Sequence, residues 1–412
     1  MSRSPILTRH SEGGAVPGPG DLQSADTAWH YGDPLGEQRA AYGGGEQRAA
    51  YGGGEERAGR SGVIIVDRSD RAVIEIAGAE RLTWLHTITS QHIAALPDRS
   101  SAENLSLDAN GRVEEHFVLT DIDGVTWIDT EGSRGDPLLG FLTKMVFWAK
   151  AEPAARPDMK VVTLIGPGAL DGPVADLLEI GADTDVYQAG GLPETHHEDE
   201  PLGFWRRMPS FGEDRDLPVV DLIVPEYLLT RWWDALTEAG ARMAGSWAYE
   251  ALRVAARRPR LGADTDERTI PHEVDWIGGP DELGAVHLDK GCYRGQETVA
   301  RVHNLGKSPR RLVLLHLDGS SDERPVPGDP VTAGGRTVGR LGTIVDHHEW
   351  GPIALALVKR NVGTDVELTV GAETAVSARI DPDSILEDDR IQAGRAAVER
   401  LRGGSAVPGH QS

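Results

Sequence analysis

The sequence predicts an α+β protein that ends in a small β module. Apolar residues recur at helical spacing in 79–96 and 226–240, and these stretches alternate with short β-branched runs at 160–165 and 218–225. From residue 310 onward the pattern changes to short apolar runs separated by Gly and Pro turns. Such a pattern is typical of a small β-barrel.

Composition divides the chain into a core and two polar ends. Residues 1–60 contain the nine-residue repeat GEQRAAYGG, which starts at 36 and again at 45 and lacks Leu, Ile and Val. We expect this segment to be a disordered tail, because it has too few apolar side chains to bury a core. Residues 382–412 are polar and charged, and we expect them to be flexible. The predicted parts between the two ends are 61–158, 159–308 and 309–381.

Local patterns refine this picture at several places. Residues 62–78 contain two apolar runs around a polar turn, which predicts a β-hairpin. Strands joined by NG and DG turns are predicted over 105–130. Residues 183–217 are polar, which predicts loops, and they include ETHHEDE at 194–200. That cluster of His and acidic residues is more typical of a solvated loop than of a metal site.

Charge and cysteine content limit the possible partners. The net charge of −23 argues against non-specific binding to nucleic acid or anionic membranes, since both need basic surface. No apolar run reaches about 18 residues and no basic-then-apolar leader is present, so we expect a cytoplasmic protein. A single cysteine excludes an intrachain disulfide and an iron–sulfur cluster held by this chain's cysteines alone. No metal site is predicted.

The one cysteine, Cys292, lies in KGCYRGQE at 290–297, between Gly291 and Gly295. Nearby Lys290 and Arg294 would favour its thiolate form if their charges come close in space. Three interpretations are open. Cys292 is a small buried hydrophobe, or a nucleophile assisted by a histidine, or one ligand of a metal or cluster shared with a partner protein. The histidines nearest in sequence are His272, His287 and His303.

The stretch KGCYRGQETVAR at 290–301 resembles the signature of the YgfZ-type folate-binding proteins, which are relatives of aminomethyltransferase, the T-protein of glycine cleavage. Supporting segments are ALRVAARRPRLGADTDERTIPHEV (251–274), LTWLHTITSQHI (82–93) and GGRTVGRLGTIV (334–345). The resemblance covers residues 62–380. It implies three domains arranged in a ring, with tetrahydrofolate or a one-carbon derivative bound in the central channel.

The resemblance also implies a function. It points to an accessory protein for the assembly or repair of iron–sulfur enzymes, including radical enzymes that modify tRNA. The expected partners are then folate and these client enzymes, with no direct contact to nucleic acid or membrane. Two alternatives stay open: a folate-dependent aminomethyl or one-carbon transferase, and a folate-independent interaction scaffold.

The resemblance assigns candidate residues by their match to the signature. The motif residues are Lys290, Gly291, Cys292, Tyr293, Gly295, Gln296 and Glu297. We expect Cys292 to be the functional thiol, with Lys290 beside it. Arg253 resembles a basic position near the folate, where a guanidinium suits the glutamyl carboxylates; the alternative is a surface helix arginine.

Three carboxylates complete the candidate folate contacts. Glu273 is expected either to hydrogen-bond the pterin N–H edge or to cap local structure. Aminomethyltransferases have an acidic residue by the reactive folate nitrogen, and the corresponding stretch here is GRVEEHF (111–117). It offers Glu114 and Glu115 but no Asp, so a one-carbon transfer mechanism does not follow from the resemblance.

Overall fold

The structure is a computed structural model that describes residues 3–19, 23–43, 62–193, 203–212, 216–320, 324–372 and 375–385. The N-terminal segment contains α1 (Pro5–His10), β1 (Val16–Pro17), β2 (Ala28–His30) and α2 (Pro34–Tyr42). The next elements are β3 (Ile64–Asp67), β4 (Ala72–Ala77), α3 (Arg81–Ile88), β5 (Ser100–Leu107), β6 (Val113–Ile122), β7 (Val125–Thr130), α4 (Gly135–Met145) and β8 (Glu152–Ala155).

The middle of the chain contains β9 (Met159–Ile165), α5 (Pro173–Leu178), β10 (Ala189–Gly191), β11 (Phe204–Phe211), β12 (Leu217–Pro225), α6 (Glu226–Glu238), β13 (Arg242–Ala244) and α7 (Ser246–Ala255). The C-terminal part contains α8 (Gln296–Leu305), β14 (Arg310–Leu317), β15 (Pro330–Ala333), β16 (Arg336–His347), β17 (Gly351–Lys359), β18 (Leu368–Val370) and β19 (Val376–Ile380). Within the described ranges, no helix combines the length and apolar character needed to cross a membrane.

Two open sheets and one barrel organise these strands. One open sheet has the strand order β5-β6-β7-β4-β8, and the other has the order β10-β11-β12-β9-β3-β13. The barrel is closed, in the order β14-β17-β16-β15-β18-β19, and its interior is filled by apolar side chains such as Val313, Ala356 and Val370. The predicted α+β class and the C-terminal β-barrel are therefore confirmed.

The turn after β3 carries the chain from one open sheet to the other. β3 pairs with β9 and β13, whereas β4 pairs with β7 and β8. The hairpin predicted for 62–78 is therefore wrong, and the boundary expected at 158 does not separate the two sheets. Both strands are buried, but each finds its partners far along the chain. The crossing places Arg68 and Arg71 between the sheets.

The N-terminal segment is folded where the structure describes it, so the disordered tail predicted for 1–60 is wrong over 3–19 and 23–43. Ile6 and Ala41 are fully buried, and α2 contains residues 36–42 of the first copy of the repeat. In place of large apolar side chains, Glu37 and Gln38 accept hydrogen bonds from backbone N–H groups at the start of α7 and in the barrel. The second copy, up to residue 61, lies outside the described residues.

Irregular structure was also predicted for residues 183–217 and for the C-terminal tail. The stretch 183–217 contains β10, all of β11 and the first residue of β12, so loops were the wrong prediction for residues 204–211. The cluster at 194–200 and the C-terminal residues 386–412 lie outside the described residues.

Candidate functional site

A narrow channel of about 80 Å³ lies where the two open sheets and α7 face each other. One wall comes from β5, β6 and β7, and another from β11 and β12; α7 and the residues after it close the third side. Its charged lining consists of Arg68, Arg71, Glu103, His116, Asp129, Glu131, Arg206, Asp221, Arg253, Arg258 and Arg260. Most of these charged side chains already form ion pairs with one another.

Arg206 on β11 links the two sheets through buried charge. Its guanidinium lies 2.6 Å from a carboxylate oxygen of Asp129 on β7 and 2.9 Å from one of Asp221 on β12. The side chain is 1% exposed, and those of the two acids are at most 5% exposed. The Arg206 and Arg71 cations outweigh burial and hold the pKa of Asp129 below its usual range. Arg206 therefore neutralises two carboxylates that have no access to bulk water.

Glu131 joins the turn after β3 to the segment after α7. Its two oxygens accept hydrogen bonds from Arg71, at 2.8 Å, and from Arg260, at 2.5 Å. Burial alone would raise the pKa of Glu131, but these two cations hold it far below its usual range. Glu131 is thus an ionised carboxylate that is fully engaged by the protein.

Arg253 on α7 faces the channel with its donors already in use. It contacts Glu250 at 2.5 Å, Asp264 at 2.8 Å and the Thr343 hydroxyl of the barrel at 2.6 Å. The side chain is 1% exposed, so the interpretation as a surface helix arginine is wrong. Arg253 lies at the predicted channel, but a ligand carboxylate would have to compete with two carboxylates of the protein.

Glu103 on β5 has three hydrogen-bonding partners at the channel wall. It accepts hydrogen bonds from Tyr187, at 3.1 Å, and from Arg258, at 2.5 Å, and it lies 3.1 Å from His116 Nε2. Burial works against ionisation, but Arg258 and the hydrogen bonds lower the pKa of Glu103 to about 2. The His116 ring in turn stacks on Trp276, with ring centroids 4.6 Å apart and planes 5° apart.

The cysteine loop is fastened to the protein by Lys290. The Lys290 ammonium donates hydrogen bonds to the backbone carbonyls of His86, Thr89 and Gln91, at 2.5, 2.6 and 3.1 Å. Burial lowers the pKa of Lys290 to about 8, so the amine is still mostly charged at neutral pH. This contact fixes the start of the motif against the end of α3.

Cys292 is exposed, which makes the interpretation as a small buried hydrophobe wrong. Lys290 is engaged by the three carbonyls, and Arg294 forms an ion pair with Glu114 at 2.8 Å. Both cations therefore have partners other than the thiol. Among the described residues, the Cys292 sulfur has no hydrogen-bond partner, so no histidine is positioned as its base. The loop presents a thiol to solvent without activating it from within.

The other motif residues have structural contacts. Tyr293 is 8% exposed and packs in the core, and Gln296 donates to the Lys290 carbonyl. Gly295 has φ +85°, and a Cβ there would lie 2.6 Å from the Asp108 carbonyl oxygen. Only glycine tolerates both the positive φ and the close approach to the β5–β6 turn. Gly291 and Glu297 are exposed.

The three candidate carboxylates lie away from the channel. Glu273 is buried, accepts from Arg310 and bonds the backbone N–H of Ile270, which agrees with the capping interpretation. Glu114 pairs with Arg294. Glu115 pairs with Arg134 and points to the opposite face of β6 from His116 because side chains alternate along a strand. The structure does not bring these residues together around one ligand.

The channel carboxylates were missed because the sequence gives no local signal for them. Asp221 sits in the middle of an apolar strand, whereas Glu103 lies in the polar stretch SSAENLSL and Asp129 is next to the last residue of β7. A charged residue inside an otherwise apolar strand needs a buried partner, and this pattern could have singled out Asp221 alone.

Similarity to known proteins agrees with this architecture. Residues 310–383 match the family model described as CAF17, C-terminal beta-barrel domain. The tRNA-modifying protein YgfZ of Yersinia enterocolitica is 27% identical over 267 residues, which cover 64% of this chain and 74% of that protein. The same-named protein of Escherichia coli O157:H7 is 26% identical over 81% of this chain and 90% of its own length. The chain is therefore similar to the YgfZ-type proteins over most of its length.

The fold of this chain is shared with a solved enzyme. The crystal structure of the glycine cleavage system aminomethyltransferase T from Bartonella henselae superimposes with a TM-score of 0.73, at 15% identity, over 93% of this chain and 98% of that chain. The predicted aminomethyltransferase-like fold is confirmed. A putative chloroplastic transferase of Arabidopsis thaliana is 25% identical over 68% of this chain, and the match spans 61% of that protein.

Proposed function

We propose that this chain is a cytoplasmic folate-binding accessory protein that supports iron–sulfur enzymes, including enzymes that modify tRNA. The observation that carries the proposal is the exposed Cys292 thiol, held by a loop that Lys290 fastens, in a chain similar to proteins named for tRNA modification. One cysteine cannot hold a cluster alone, so the thiol would act on a cluster that a client enzyme carries.

The chemistry of the channel suits a folate. The aromatic rings of Tyr249 and Trp276 line the channel, and a pterin that stacks on Trp276 would take the place of the His116 ring. The arginines offer partners for the glutamyl carboxylates of a folate. The volume of about 80 Å³ is smaller than the roughly 300–1,000 Å³ of most ligand pockets, so wall side chains must move when the ligand enters. A bound tetrahydrofolate would supply a carrier for one-carbon units.

Folate binding is tested by titrating the full chain with tetrahydrofolate under anaerobic conditions and following tryptophan fluorescence. Trp276 lines the channel, so we expect a saturable change at micromolar ligand, which corresponds to about 8 kcal/mol of binding free energy. Trp276→Phe is the matched control, and it should remove most of the signal while leaving the affinity similar. No response up to millimolar ligand would favour the scaffold alternative.

The role of the thiol is tested in cells that lack this gene. We expect the wild-type chain to restore the activity of a cluster-dependent tRNA-modifying enzyme, and Cys292→Ser to leave that activity at least tenfold lower. Arg294→Gln is the control in the same loop, because Arg294 contacts only the half-exposed Glu114 and is expected to restore activity. Full restoration by Cys292→Ser, at equal protein level, would rule out a functional thiol.

The fold favours a second candidate, a folate-dependent aminomethyl or one-carbon transferase. Its expected acid/base groups are Glu114 and Glu115, which lie in ion pairs with Arg294 and Arg134. Neither carboxylate lines the channel, which weighs against this candidate. Turnover of an aminomethyl donor with free tetrahydrofolate, abolished by Glu115→Gln, would favour the transferase over the accessory protein.

A further inference from the structure

Arg68 differs from every other arginine of the channel. It follows β3 directly, lines the channel and places its guanidinium carbon 3.9 Å from the centre of the Tyr249 ring. The other five channel arginines each contact at least one carboxylate. Among the residues that the structure describes, Arg68 makes no ion pair and donates no side-chain hydrogen bond.

Stacking on a ring leaves the hydrogen-bonding capacity of Arg68 intact. The five N–H donors of a guanidinium lie in its plane, so a ring that covers one face blocks none of them. Tyr249 is held on α7, and its ring packs edge-on against Phe211 with centroids 5.6 Å apart. The stack thus gives Arg68 a fixed orientation while its donors remain available at the channel surface.

The surroundings of Arg68 favour a singly charged group. Asp70 and Glu131 lie within electrostatic range, and burial raises the pKa of Asp70 to about 6 while Arg68 opposes the rise. A phosphate dianion would bring two negative charges next to these acids with one uncompensated cation. A carboxylate brings one charge, and its two oxygens match the guanidinium fork.

We propose that Arg68, oriented by Tyr249, is a carboxylate-binding residue that selects channel ligands with a free carboxylate, such as the glutamyl end of a folate. This assignment rests on the proposed folate function. It differs from the position expected from the family resemblance, Arg253, whose guanidinium is already engaged by Glu250 and Asp264. Within the described part of the chain, Arg68 makes no ion pair that a ligand would first have to break.

The test compares tetrahydrofolate with its glutamyl dimethyl ester, which lacks only the two carboxylate charges. In the full wild-type chain we expect tetrahydrofolate to bind about tenfold or more tightly than the ester, because a charge-assisted hydrogen bond contributes about 1.5–3 kcal/mol. Arg68→Gln should bring the two affinities to within about threefold, by weakening tetrahydrofolate alone. Arg68→Lys keeps the charge without the planar fork and should retain part of the preference.

Arg99→Gln is the control variant, since Arg99 is a half-exposed surface arginine outside the channel, and both affinities should stay at the wild-type values. Arg68→Gln should unfold within a few degrees of the wild-type temperature, because among the described residues it loses the stacking contact with Tyr249 but no ion pair. Retention of the full preference by Arg68→Gln would overturn the assignment, as would an equal weakening of both ligands. If the wild-type chain binds neither ligand, the proposed folate function fails and the assignment fails with it.

Discussion

Arg206→Gln is expected to lower the free energy of unfolding by about 3–5 kcal/mol, because it leaves buried Asp221 without a cation and Asp129 with only Arg71. Asp129 and Asp221 lie on strands of different sheets, and both are inaccessible to bulk water. Without Arg206, Asp221 must either stay charged with no cationic partner or take up a proton, and both cost free energy. Denaturation in urea, followed by tryptophan fluorescence, measures the loss.

Two further variants identify the cause of that loss. Arg99→Gln removes an exposed ion pair with Asp123 and should change the free energy of unfolding by less than about 1 kcal/mol. Adding Asp221→Asn to Arg206→Gln removes the charge that lost its cation and should recover part of the stability. If the single Arg206 variant loses less than about 1 kcal/mol, the ion pairs do not hold the two sheets together.

Lys290→Met is expected to cost about 3 kcal/mol, since two buried carbonyls and one part-buried carbonyl lose a charged donor and the methionine offers none in return. The carbonyls belong to the chain that leaves α3, so the effect should be local to residues 86–93 and 287–293. Amide hydrogen exchange read by mass spectrometry should show faster exchange in these two segments. Urea denaturation gives the total loss.

Arg294→Gln is the matched control in the same loop. Its partner Glu114 is half-exposed, so the loss should be below about 1 kcal/mol and exchange in 86–93 should not change. Equal exchange in the wild-type protein and Lys290→Met would mean that the motif does not depend on the ammonium for its position.

The parts of the fold that the sequence predicts are those with local patterns. The short strands of the barrel alternate with Gly and Pro turns, and α6 carries Leu229, Trp232, Trp233 and Leu236 on one face. Both features are visible within a window of 15 residues or fewer. The assignment of β3 and β4 to different sheets is not, because the partners of β3 lie about 100 and 180 positions further along the chain.

The same distinction applies to the candidate site. The glycine-flanked thiol could be predicted as an exposed group, because its flanking glycines and cations are adjacent in the chain. The contacts of Lys290 could not, since they reach carbonyls 199 to 204 positions away. Nor could those of Arg206, whose acids come from two other strands. The sequence also does not tell which face of a strand turns toward the channel. On β6 that face carries His116, whereas Glu115 lies on the opposite face.

The contacts of α2 also set an order of events during synthesis. Gln38 hydrogen-bonds the Asp346 carbonyl and the His348 N–H, which lie 308 and 310 positions later in the chain. At about 5–20 residues per second, a ribosome needs roughly 15–60 s to make that intervening chain. Throughout this time the first helix of the repeat segment lacks its barrel partners. Its docking is therefore a closing step of folding, which becomes possible only when the last strands of the protein have emerged.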